Sequence, residues 1–136
     1  MNTRKVLDVL TCERGLCDGQ LQNGARCVVG ALLFAVGYTP EELRGLNPGL
    51  EELHSDQPGR ERAARSALWR EYRISRREVA RLIELNDHDC ADEWDDEFVA
   101  WGEGGLGEVS MSEGERLNAV IFGIQHWRDY QKAYTR

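Results

Sequence analysis

The sequence predicts an all-α fold: one domain, residues 1–136, of five to seven helices around a buried central helix and a long C-terminal helix. Three observations predict it. Apolar residues recur at i, i+3 and i+4 over most of the chain, the spacing of one helix face. Helix-start chemistry precedes three stretches: Thr39-Pro40-Glu41-Glu42, Ser75-Arg76-Arg77-Glu78 and Ser112-Glu113-Gly114-Glu115. Strand patterns are scarce, residues 108–111 being the one short candidate.

Taken in order, Val6, Val9 and Leu10 mark a first helix, and the three glycines of residues 15–24 a loop. Residues 25–36 are apolar nearly all round, which suits a central buried helix, and Gly30 and Ala31 allow a neighbour close approach. The helix opened by Thr39 is short, because Gly45 and Asn47-Pro48-Gly49 break it, and another turn follows at 50–54. Residues 60–73 form a helix with Ala64, Ala67, Leu68 and Tyr72 on one face. The Ser75 capping box opens the next, with Val79, Leu82 and Ile83 inward and Asn86 closing it in a left-handed turn. Residues 102–107 are a glycine-rich loop. The Ser112 box then starts the longest helix, with Leu117, Val120, Ile121, Ile124, Trp127 and Tyr134 along one side.

A chain of 136 residues buries about two thirds of its unfolded surface, enough for one core without metal or disulfide staples. Its longest apolar run, residues 27–38, is too short to span a membrane, and no signal peptide is visible. A cytoplasmic location is therefore expected, with Cys12, Cys17, Cys27 and Cys90 reduced.

The charge is polarised. Residues 87–97 hold seven carboxylates and no Lys or Arg, while the other 125 residues carry 17 acidic and 17 basic side chains. Just before it, residues 60–81 hold eight Arg and three Glu. Two readings follow: the acidic segment folds over the Arg-rich helices, or it is an exposed face for a basic partner. On the second reading the partner-binding residues are Asp87, Asp89, Asp92, Glu93, Trp94, Asp95, Asp96, Glu97 and Trp101, since Trp favours interface hot spots.

Other chemistries fit less well. A helix-turn-helix over residues 60–85 would place Arg76, Arg77 and Arg81 on phosphates or bases, yet its turn lacks the usual Gly and the acidic segment repels phosphate. A metal-dependent hydrolase of the His-Asp type would draw on His54, His88, Asp89 and Asp129. Zinc through Cys12, Cys17, Cys27, His88 and Cys90 lacks paired C-x-x-C spacing, and the EF-hand template fails at Ala91, Asp92 and Phe98. The G-x-G-x-x-G match at 102–107 follows no strand and is flanked by Glu103 and Glu108. Cys27, after Arg26 at a helix start, has two features that lower a thiol pKa, against an apolar helix that buries inert cysteines. No cofactor is implied.

Arg26-Cys27-Val28-Val29-Gly30-Ala31-Leu32, Tyr72-Arg73-Ile74-Ser75 and Leu85-Asn86-Asp87 together resemble small uncharacterised bacterial and phage-borne proteins. These have a Cys-x-x-Gly-Ala helix, a Gly-(Leu/Ile)-Ser helix start and an Asn-Asp turn. The resemblance covers residues 25–38 and 72–101; it implies a helical fold and a mobile-element origin and brings no activity. Arg73 stands where that pattern has Gly, and the segment after Asn86-Asp87 is more acidic. The reading that results is a non-enzymatic binding or regulatory protein. Its acidic, Trp-bearing face would meet a basic macromolecule, such as RNA polymerase or another nucleic-acid-handling enzyme. With the phage-like resemblance, that becomes a modulator or inhibitor of host transcription or DNA processing; direct nucleic-acid or membrane binding is not expected.

Overall fold

Cys27 begins the most apolar stretch of the chain as a helix N-cap: its backbone is extended and its Sγ accepts the Gly30 N–H at 3.4 Å. The helix it opens, α2 (Val28–Ala35), buries every residue from Val28 to Leu33. In the computed structural model, which describes residues 1–17, 22–23, 25–53, 55–87 and 112–134, α2 is the centre on which the other elements assemble. It packs against α1 (Thr3–Leu10), α3 (Pro40–Arg44), α4 (Pro58–Tyr72) and α5 (Arg76–Asp87). Helix α6 (Glu113–Gln125) closes the assembly against α1 and α5, and α7 (Trp127–Tyr134) follows it. With seven α-helices among the described residues the fold is all-α.

Local chemistry explains most of these bounds. Asn2 caps α1 by accepting the Lys5 N–H, and Val6 and Leu10 face inward. Thr39, Ser75 and Ser112 each exchange two hydrogen bonds with a Glu three residues on, so the two capping boxes expected at Ser75 and Ser112 form, and the helix start at Thr39 is a third. Helix α4 buries Ala64, Ala67, Leu68 and Tyr72, and the Tyr72 hydroxyl donates to the Leu32 carbonyl at 2.8 Å. A 3-10 turn at Pro48–Leu50 lies between α3 and α4. The buried Glu61 holds that connection, accepting from the Asn47 N–H at 3.1 Å and the Ser55 hydroxyl at 2.6 Å.

Four details differ from the sequence reading. Helix α2 starts at Val28 rather than at residue 25, because Ala25 and Arg26 are extended, pairing antiparallel with Asn23 and Gln22; Leu16 bridges Arg26 in parallel. This small ladder lies where a loop was expected, and residues 108–111 lie outside the described residues. Asn86 does not close α5 in a left-handed turn: it lies inside the helix and is buried, and the left-handed residue is Arg73 (φ 56°, ψ 34°), which ends α4. The expected continuous C-terminal helix is broken at His126 (φ −111°, ψ 35°). There the imidazole Nδ1 lies 3.0 Å from the Phe122 carbonyl and the two rings are in contact, and the bend turns Trp127 and Tyr130 into the core. At 15 residues α4, not α6, is the longest described helix.

Candidate functional site: the two ends of α5

Helix α5 carries opposite charge at its ends. Its 12 residues span about 18 Å. Arg76 and Arg77 are exposed in the first turn, Asp87 is exposed in the last, and that last turn holds no basic residue. This order runs against the helix macrodipole, which favours acids at the N-terminus and bases at the C-terminus by about 0.3–1 kcal/mol each. The layout therefore costs α5 stability rather than adding to it, with Glu78 the one partial offset.

The acidic end is rooted in a buried polar knot. The Asn86 side chain accepts the Val28 N–H at 2.8 Å and donates to the Cys17 carbonyl at 2.8 Å and to the Asp87 carboxylate at 2.9 Å. The guanidinium of Arg116, itself buried, donates to the Asn86 carbonyl. One amide thus joins α5, the start of α2 and the backbone at Cys17. Sequence reasoning missed this role, although the signal was legible: Asn86 follows Val79, Leu82 and Ile83 at the spacing of the apolar face, where a polar residue needs internal partners.

The basic end is the joint between α4 and α5. Only Arg73, Ile74 and Ser75 separate the helices, and each helix packs on α2. Trp69 is half exposed, and the Arg73 guanidinium lies 5.5 Å from its ring centroid. The acids here are already engaged: Glu71 by Lys5 at 3.4 Å and Glu78 by the Met1 α-amino group at 3.2 Å. Further along α4, Arg62 and Arg65 both hold Glu52, at 2.8 and 2.9 Å, and these contacts, Arg62 first, lower the Glu52 carboxyl below the ordinary value.

Of the sequence-predicted site residues, Asp87 lies at the end of α5 and Asp129 is exposed in the first turn of α7. His54, His88, Asp89, Cys90, Asp92, Glu93, Trp94, Asp95, Asp96, Glu97 and Trp101 lie outside the described residues. Among the described residues no three His, Cys, Asp or Glu side chains are grouped to hold a metal ion, and no helix is long and apolar enough to cross a membrane. Cys27 is not an activated nucleophile: burial pushes its thiol up to about 12, outweighing the Gly30 N–H contact. Among the described cysteines Cys12 is the exposed one, on the wall of an open cleft of about 410 Å³ also lined by Arg14, Arg26 and Glu113. Arg26 is held there by Glu13 at 3.2 and 3.3 Å and lies 3.8 Å over the Phe34 ring.

Compared with protein-family models, with curated proteins and with solved structures, the chain matches none.

Proposed function

We propose that this protein is a non-enzymatic binding protein that docks its acidic, Trp-bearing segment, residues 87–101, on the basic surface of a nucleic-acid-handling enzyme such as RNA polymerase. The observation that carries this reading is the charge layout. Seven carboxylates stand in residues 87–97 without one cation, and the remainder of the chain sums to zero. Two features support it. The segment leaves α5 at a dipole-disfavoured end, so helix stability does not account for the charge. Arg62 and Arg65, two of the cations that an internal neutralisation would draw on, are held by Glu52. The phage-like resemblance of residues 25–38 and 72–101 sharpens the reading to a modulator or inhibitor of the host enzyme.

The test is affinity capture from host lysate at low and high salt, with the Asp92→Asn, Asp95→Asn, Asp96→Asn triple variant alongside. A steered acidic face gives a captured partner that elutes with salt and is lost with the variant. Capture of the same partner by the variant at the same salt, with a raised melting temperature, would show that those charges serve no partner.

A further inference from the structure

Four arginines flank the α4–α5 joint: Arg70 and Arg73 at the close of α4, Arg76 and Arg77 at the opening of α5. All four are exposed and make no ion pair among the described residues. The neighbouring acids are held by Lys5 and the Met1 α-amino group, so they do not neutralise them. Trp69, 50 % exposed, stands one turn before Arg73 on the same surface. Arg73 holds its place in a left-handed conformation, which carries an energetic cost for a non-glycine residue. Glycine would close the helix without that cost, so the side chain rather than the turn accounts for arginine at this position.

From this we infer a second binding surface: the joint holds single-stranded nucleic acid, with the four arginines on successive phosphates and a base stacked on Trp69. The class follows from the pairing of charges with an aromatic face. An acidic polypeptide would satisfy the guanidiniums but bring no base to stack on the Trp69 indole, which has the Arg73 guanidinium 5.5 Å from its ring centroid. A duplex keeps its base faces stacked and hidden. An unpaired strand supplies phosphates and open base faces together, the combination that single-strand-binding surfaces use. The joint lies at the opposite end of α5 from Asp87, about one helix length away. It is tested without any protein partner, so its failure leaves the proposed function standing, and the reverse.

The experiment is fluorescence anisotropy of the full chain with a labelled oligothymidylate, with unlabelled duplex and polyglutamate as competitors. Binding is expected at low salt and falls as salt rises. Trp69→Leu weakens it roughly tenfold and Trp69→Phe less, because Phe keeps a stacking face. The Arg76→Gln, Arg77→Gln pair flattens the salt dependence, since two phosphate contacts are gone. Arg73→Gly weakens binding while the melting temperature holds or rises, which separates the side chain's role from the turn's. Absence of binding, binding indifferent to these variants, or displacement by polyglutamate or duplex as effective as by unlabelled strand would each overturn the inference. Far-UV circular dichroism accompanies every variant. If Trp69→Leu does not fold, the comparison of Trp69→Phe with the arginine pair decides the question.

Discussion

Asn86 shows how much one side chain carries. It satisfies a helix N–H at Val28 and a carbonyl at Cys17, both next to buried residues. Asn86→Ala strands both, and at about 1–3 kcal/mol for each unsatisfied buried group it should lower stability by roughly 2–4 kcal/mol, read from urea unfolding. Two titratable residues set opposite pH limits. Burial alone would raise the Glu61 carboxyl, but the Ser55 hydroxyl and the Asn47 N–H bring it below its ordinary 4.5. A lowered folded pKa gives stability that is present above the unfolded value and lost as pH falls through the folded one. Acid melting below pH 4.5 should therefore be blunted in Glu61→Gln, which starts less stable at pH 7. Cys27 acts at the other limit. Burial raises its thiol to about 12 from 9.0, so above pH 9 the unfolded chain ionises first and stability falls. At pH 8 iodoacetamide should label Cys12 in the native protein and leave Cys27 intact, as peptide mass mapping would show.

Elements were legible where their ends carry local chemistry. The capping boxes at Ser75 and Ser112 needed only residues three apart, and both formed as expected, as did the helix start at Thr39. The elements misread were those set by distant contacts. Nothing local says that Ala25 and Arg26 pair with Gln22 and Asn23 before α2 begins, or that His126 divides the last helix to bring the Tyr130 hydroxyl to the Arg81 carbonyl. The crossing of α5 and α6 is of the same kind. A Cβ on Gly123 would stand 2.6 Å from both methyl carbons of Leu85. Gly123→Ala should therefore cost about 1–3 kcal/mol in thermal unfolding despite alanine's better helix propensity. Adding Leu85→Ala should remove most of that penalty in a double-mutant cycle, and two fully additive losses would contradict the contact.

At the scale of the molecule, fold class and core were readable because apolar periodicity is a property of every helix at once. Ala64, Leu68, Tyr72, Val79, Leu82, Leu117, Val120 and Ile124 all lie where their spacing put them. The candidate site was legible as charge along the chain and illegible as geometry. The sequence shows the eight arginines of residues 60–81 as one block, whereas the fold gives Arg62 and Arg65 to Glu52, Arg81 to Glu84 and Arg60 to Gln57, and leaves Arg70, Arg73, Arg76 and Arg77 at the joint without an ion pair among the described residues. The Asn86 tether was legible as a polar residue on an apolar face, but its partners, Val28 and Cys17, were not. That tether also bears on the order in which the chain assembles. Asn86 lies 58 residues from Val28 and 69 from Cys17, so its hydrogen bonds close only after α2, α5 and the backbone at Cys17 have met. Bonds of such long sequence separation form late, because loop closure comes before any contact it brings. Asn86→Ala should thus speed unfolding and barely slow refolding, a φ-value near zero in stopped-flow chevrons. The amide that roots the acidic segment would then be the last bolt set in the folding of this protein.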